Sequence, residues 1–195
     1  MSDMMQTVRE RRSIRRFART PVPRDALEQM AEAARLSPTG VNKQPLRFVV
    51  VSAPALCAQI FPSTYWARRI PDGSAGPTEA TQPAAYILLL ADTTINSGHV
   101  DMDAGAAAMS IQLAAQSEGI GSCWLASIDR PAILKLLGID AERFKLHTLV
   151  ALGYPAMRAK AVPMTGDDTD YYLLDPDTLA VPKRPAQDVI CWMED

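Results

Sequence analysis

The stretch VDMDAGAAAMSIQLAAQSEG, from Val100 to Gly119, decides how the chain must be built: it is the clearest helix in the sequence, and it carries no charge between Ala104 and Ser117. A membrane span takes roughly 20 apolar residues and a surface helix needs a polar face, so a helix this short and this apolar all round belongs inside the protein. It is read as a central helix, buried in the core or against another subunit. The run Ala104, Gly105, Ala106, Ala107, Ala108 would let neighbouring backbones come close.

Upstream, AAYILLLA (Ala84 to Ala91) is an unbroken apolar run of the kind that forms a strand covered on both faces. LRFVVVS (Leu46 to Ser52), GSCWLAS (Gly121 to Ser127) and HTLVAL (His147 to Leu152) are three further strands. Helices are expected at residues 3 to 12, at Arg24 to Leu36, at Pro54 to Phe61 and at Pro131 to Leu137. In the second of these, Leu27, Met30, Ala31 and Ala34 recur at helical spacing between a start at Pro21 and Pro23 and a stop at Pro38. The tail predicts a short strand at Tyr171 to Leu174, a turn at Asp175-Pro176, an extended piece at Leu179 to Pro182 and a closing helix at Gln187 to Trp192. Pro62 to Pro83, with four prolines and two glycines, predicts an irregular excursion carrying Tyr65, Trp66, Arg68 and Arg69. Strands separated by helices make a mixed α/β protein whose strand order cannot be read from sequence.

A length of 195 residues fits one compact domain over 1–195, and 48% hydrophobic with 22% charged residues is enough to bury a core. No run of eighteen apolar residues exists, so no membrane span is expected. Cys57, Cys123 and Cys191 are scattered, with no C-x-x-C, which suggests neither a disulfide frame nor a zinc site and fits a soluble protein of the reducing cytoplasm. The charge is uneven. Seven of the twenty basic residues fall in the first 24 positions beside two acids, so the front carries +5 and the rest −7 of a formal −2.

That basic front contains Arg11, Arg12, Ser13 and Arg15, where guanidinium forks and a hydroxyl could grip a phosphate. A solvated basic face is the plainer alternative. Nucleic-acid binding is the rival from another class, but the remaining chain is acidic, so no nucleic acid is expected as a partner. SPTGVNKQP, from Ser37 to Pro45, packs turn formers and amides between a helix and a strand; Asn42 and Gln44 could address the edge of a heterocycle, though a plain connection is the default. Gly119-Ile120-Gly121 precedes a strand instead of following one, so a Rossmann site is not supported. Ala126 and Ser127 are small enough to leave backbone N–H groups open at a strand end. His99, Asp101 and Asp103 could hold a metal if they alternated along a strand, but in a helix Asp101 and Asp103 complement its N-terminus, and no metal is expected. Lys183 and Arg184 lie on a proline-stiffened segment that could complete a phosphate clamp.

Taken together, RRSIRRF at the start, SPTGVNKQP, GIGSCWLASID, ALGYP and VPKRP, in this order over nearly the whole chain, resemble the FMN-dependent nitroreductase family. The resemblance implies an α+β fold, a nitroreductase-like mixed sheet flanked by helices and built as an intertwined homodimer with flavins at the interface. It implies that Arg11, Arg12, Ser13 and Arg15 bind FMN and that Lys183 and Arg184 close on its phosphate. Pro38, Thr39, Gly40, Asn42 and Gln44 match a segment that covers the flavin of the second subunit. Leu125, Ala126 and Ser127 match the segment whose backbone amides face the reactive side of the ring. Many relatives carry an acidic residue and glycine where this chain has Ala126 and Ser127. The chemistry implied is hydride transfer from NADH or NADPH through flavin N5 to a small electron-poor acceptor such as a nitroaromatic or quinone, with no side-chain nucleophile. Alternatives on the same scaffold are a flavin-dependent dehydrogenase, dehalogenase or flavin-processing enzyme, or a non-enzymatic flavin binder.

Overall fold

The computed structural model describes residues 3–66 and 76–194. Four strands make the main sheet: β1 (Leu46–Val51), β2 (Ala85–Asp92), β3 (Gly121–Leu125) and β4 (Phe144–Gly153), in the order β1-β2-β4-β3, with all neighbours antiparallel. All eight residues of β2 are buried, as its uninterrupted apolar run requires. Because side chains alternate along a strand, Ile87 and Leu89 enter one core layer while Tyr86, Leu88 and Leu90 enter the other. The first layer is closed by α2 (Arg24–Arg35) through Leu27 and Met30 and by α4 (Val100–Ser117) through Ala107 and Ile111. The second is closed by α3 (Pro54–Ile60), α5 (Arg130–Leu136) and the N-terminal residues Ile14 and Phe17, which follow α1 (Asp3–Glu10).

A smaller sheet follows, of β5 (Arg158–Pro163), β6 (Tyr172–Asp175) and β7 (Thr178–Lys183), ordered β5-β7-β6. β5 runs parallel to β7, while β6 and β7 form a hairpin across the predicted turn. Met157 and Leu179 plug this sheet into the second core layer. The last helix, α6, spans only Ala186–Val189, so the expected closing helix to Trp192 is cut short, and Val189, Ile190, Trp192 and Met193 stand exposed.

Three further expectations change. The central helix is not buried all round: Met102 and Met109 are exposed on one flank. It also stops at Ser117, where Gly119 takes φ +68° so that Ile120 N–H reaches the Ala115 carbonyl and Gly119 N–H that of Gln116, a Schellman stop with buried Ile120 as its apolar clasp. β4 is longer than His147 to Leu152, and it carries a bulge opposite Leu89 and Leu90. In the 62–83 excursion, short 3-10 turns occur at Phe61–Ser63 and Glu79–Thr81; Arg68 and Arg69 lie outside the described residues.

Two contacts fix the ends of the main sheet. At one, the buried Asp92 carboxylate accepts from the Thr94 hydroxyl at 2.6 Å and lies 3.2 Å from Arg143 and 3.7 Å from Arg47. The Thr94 hydroxyl first, then its N–H and Arg143, hold the Asp92 carboxyl down to about 2. At the other, the cross-strand pair Gly121 and Gly153 leaves a bare patch against which Ile14 and Phe17 lie flush. Ile14 N–H donates to Ser122 O at 2.9 Å, Ala18 N–H to Tyr154 O at 2.8 Å, and Ser13 bridges Ser122 in parallel. The basic N-terminal segment is thereby fastened along the sheet.

A depressed carboxyl stabilises the fold fully above the unfolded value of about 3.9 and loses that contribution as pH falls through about 2. Chemical denaturation from pH 6 to pH 2 should therefore show an acid-sensitive component that Asp92→Asn removes; an unchanged pH profile in that variant would count against the cluster. A Cβ at Gly153 would stand 3.0 Å from Phe17 Cβ, so Gly153→Ala should cost about 1–3 kcal/mol in urea unfolding and free residues 11–17 to faster amide exchange.

Candidate functional site

Once clamped to β3, the arginines fan out to different partners. Arg11 donates to Gln112 Oε1 on α4 at 3.2 Å, and partial burial together with the Arg12 charge lowers its pKa. Arg15 lies over the Tyr171 ring, 4.7 Å from its centroid. Burial pushes the Cys123 thiol up in spite of the pull of the neighbouring Arg15, Ser13 and Arg11, as expected for an inert cysteine. Arg12 turns the other way. It donates to the Arg9 carbonyl at 2.7 Å and to the Arg11 carbonyl, completing the C-terminal end of α1, and it lines a separate cavity with Arg158 and Lys160. The structure thus groups Arg11, Ser13 and Arg15 and sends the Arg12 side chain elsewhere.

Beside this group β3 ends. The carbonyls of Leu125, Ala126 and Ser127 are all taken: by the Thr148 hydroxyl at 2.5 Å, by Arg130 at 3.0 Å and by Tyr65 N–H at 3.0 Å. The N–H groups of the exposed Ala126 and Ser127 have no hydrogen-bond partner among the described residues. Held by their carbonyls, these amides present a rigid pair of open donors.

Tyr171 precedes β6, and since Tyr172 pairs with Ala180, it lies toward the end of β7 that finishes at Lys183. Arg15 and Lys183 therefore approach the same end of the small sheet. Arg184 forms an exposed ion pair with Asp167 at 3.4 Å.

The segment from Pro38 to Gln44 is strained. Val41, Asn42 and Gln44 take φ of 51°, 53° and 51°, a left-handed conformation that costs a non-glycine residue about 1–3 kcal/mol. Thr39 holds it there, its carbonyl accepting from Asn42 N–H at 2.9 Å and its hydroxyl from Gln44 N–H at 3.1 Å. Gly40 N–H anchors the loop to Asp103 Oδ1 on α4 at 2.8 Å. Asn42 and Gln44 are left exposed.

Asp103 and Gln112 are nine residues apart, which at 3.6 residues per turn places them on faces of α4 about 180° apart and about 13 Å apart along its axis. Within one protomer, then, the 38–44 loop and Arg11 grip opposite flanks of the same helix. Between these flanks, away from the sheet, runs the open stripe Met102, Ala106, Met109 and Leu113. Asp101 and Asp103 stand in the first turn of α4, as expected for its N-terminus, and Asp101 also pairs with His147 Nδ1 at 3.1 Å. Sequence reasoning passed over Gln112 and Tyr171 as site residues. Gln112 had a signal, being a polar residue amid an uncharged helix; Tyr171 had none, because its meeting with Arg15 is tertiary.

The model of the Nitroreductase family matches residues 8–154. A protein of Archaeoglobus fulgidus named as a candidate NADH dehydrogenase/NAD(P)H nitroreductase is 30% identical over 182 residues, 90% of this chain and 92% of that one. A Thermus thermophilus protein named NADH dehydrogenase is 27% identical, covering 78% of this chain and 75% of its own. Among solved structures, a nitroreductase-like protein of Desulfovibrio desulfuricans in complex with FMN superposes with a TM-score of 0.69 at 27% identity, over 86% of this chain and 94% of that one. With three quarters of its length inside the family model and the sheet, helices and basic segment arranged as described, this chain belongs to the nitroreductase family.

Proposed function

We propose that the chain is an FMN-dependent oxidoreductase that takes hydride from NADH or NADPH and delivers it to a small electron-poor acceptor, such as a nitroaromatic or quinone. The observation that carries this reading is the open amide pair of Ala126 and Ser127 beside a cationic segment clamped to the same strand. Those groups suit a flavin: a ring that gains negative charge on reduction at one edge, and a phosphate at the far end. When bound, FMN supplies a hydride-accepting and hydride-donating centre at N5.

The residues divide the remaining work. Arg15, steadied by Tyr171, holds a positive charge where the pyrimidine edge would develop negative charge, and such preorganised cations act most strongly there. Ala126 and Ser127 N–H hold the ring in register from the opposite edge. Arg11, Ser13, Lys183 and Arg184 take the ribityl and phosphate end, with Arg12 contributing its charge from behind the segment. No side chain acts as nucleophile.

The site is completed by a second copy of the chain. Loop 38–44 is anchored on the flank of α4 opposite its own Arg11, so Pro38, Thr39, Gly40, Asn42 and Gln44 would reach the flavin of a partner packed on the Met102–Leu113 stripe. Asp103 Oδ2 is buried without a hydrogen-bond partner among the described residues, an omission that costs about 1–3 kcal/mol or more in a lone protomer. The groove it lines, about 440 Å³ between α2, β1 and α4, includes Ala31, Leu46 and Phe48. The exposed Val189–Met193 tail of the partner is the segment proposed to fill it. One flavin-binding unit spanning 1–195 and working as an intertwined homodimer in the cytoplasm is the whole proposal; among the described residues no helix is long and apolar enough to cross a membrane.

The purified protein should be yellow and should bleach anaerobically with NADH or NADPH, then recover colour when a nitroaromatic or quinone is added. A protein that reconstitutes with FMN but is not reduced by either donor would leave a flavin binder and sink the enzyme. Arg15→Ala should loosen FMN by roughly 10-fold or more, the scale of one charge-assisted contact, and slow flavin reduction as well. Removing residues 188–195, which retains Lys183 and Arg184, should shift sedimentation from dimer toward monomer and release FMN in parallel; a dimer that keeps its flavin would contradict the assigned tail.

A further inference from the structure

Trp124 is left over by this account. It stands on β3 between the buried residues Cys123 and Leu125, yet it is 42% exposed. An indole that forgoes burial on a core strand is unusual, since aromatic rings supply much of a core's apolar area.

The ring is exposed but not loose. Its Nε1–H donates to Thr148 Oγ1 at 2.6 Å, and the buried Thr148 hydroxyl donates its single hydrogen to the Leu125 carbonyl at 2.5 Å. That hydrogen is committed, so the hydroxyl faces the indole as acceptor and fixes the orientation of the ring. The ring also lies beside Gly105 of α4, where a Cβ would stand 3.7 Å from Trp124 Cη2, an ordinary contact distance. Gly105 precedes Gln112 by seven residues, about two turns, and therefore shares its flank of the helix. Gln112 holds Arg11. The open amides of Ala126 and Ser127 follow two and three residues along the chain. By helix flank and by strand position, Trp124 stands between the cations and the amides.

We infer that Trp124 is a fixed aromatic wall for the planar ring of the bound cofactor, a positioning residue with the Thr148 hydroxyl as its latch. The inference rests on the flavin reading above. Tryptophan in contact with an excited flavin quenches its emission by electron transfer; phenylalanine, of similar shape, does not. In the FMN-loaded protein, flavin emission should be strongly quenched, and Trp124→Phe should restore it several-fold with little change in FMN affinity. Trp124→Ala should both restore emission and loosen FMN several-fold. Trp66→Phe, at the other tryptophan near the N-terminal segment, should leave most of the quenching in place. Wild-type quenching retained in Trp124→Phe would overturn the inference. So would weakened self-association of that variant with quenching unchanged, which would assign the ring to the seam between protomers. Failure of the native protein to bind FMN would remove both the inference and the reading beneath it, whereas FMN bound with emission indifferent to residue 124 removes the inference alone.

Discussion

The close approach of the N-terminal segment to the main sheet is the constraint on which the rest depends. Gly121 and Gly153 face each other across β3 and β4, and the absence of two side chains there is what lets Ile14 and Phe17 lie against backbone. The consequence is electrostatic. Arg11, Arg12, Arg15 and Arg16 are held within six positions on a rigid surface, where a flexible terminus would let them separate. Each finds a local anchor, in Gln112, in the carbonyls of α1, in Tyr171 and in the Pro176 carbonyl with Asp177 respectively. Of these anchors only Asp177 is an anion, and the pKa of Arg11 is lowered first by its burial and then by repulsion from Arg12. An incoming phosphate would relieve that repulsion without any rearrangement of the chain, which is the meaning of preorganisation here.

Helix α4 turns the same constraint into an argument about assembly. Its sheet-facing side is filled by Ala104, Ala107, Ala108, Ile111 and Ala115, all buried. Its two polar buried residues, Asp103 and Gln112, flank that side and tether the 38–44 loop and Arg11 to opposite sides of the helix, about two and a half turns apart along it. A dyad through the open stripe would carry one protomer's 38–44 loop toward the other's Arg11. In such a packing the two methionines of the stripe would adapt to an imperfect fit.

Much of this was legible from sequence because the signals were local. The unbroken run Ala84–Ala91 could only be β2, and the uncharged stretch after Asp103 could only be α4. What sequence missed was decided by tertiary contact. β5, reading RAKAVP, is short, polar and exposed, so no hydrophobic pattern marks it; it exists because β7 offers a parallel edge. Sequence left open whether α4 is buried in the core or against another subunit, because a stripe of alanine and methionine looks the same whether it meets a core or a partner. Arg12 was grouped with its neighbours by its place in the RRSIRRF motif, and only the path of the segment along β3 turns its side chain away from theirs.

Sequences that specify one fold tend to satisfy local rules everywhere except where function intervenes. Besides the partnerless buried atoms Arg12 Nε, Gln82 Oε1 and Tyr86 Oη, the exceptions among the described residues include four of unrelated kinds: left-handed Val41, Asn42 and Gln44, a buried carboxylate oxygen on Asp103 without a partner, two bare amides at Ala126 and Ser127, and the part-exposed indole of Trp124. Backbone strain, desolvation, unmade hydrogen bonds and exposed apolar area have no common cause within a single protomer. They do have a common location, since every one borders α4 or the end of β3 beside it. A planar anionic ligand shared between two copies, as proposed, would remove the amide and indole exceptions directly and give the strained loop a purpose, while the second copy would cover Asp103. Any rival function must account for the same four anomalies around that one helix and the adjoining end of β3.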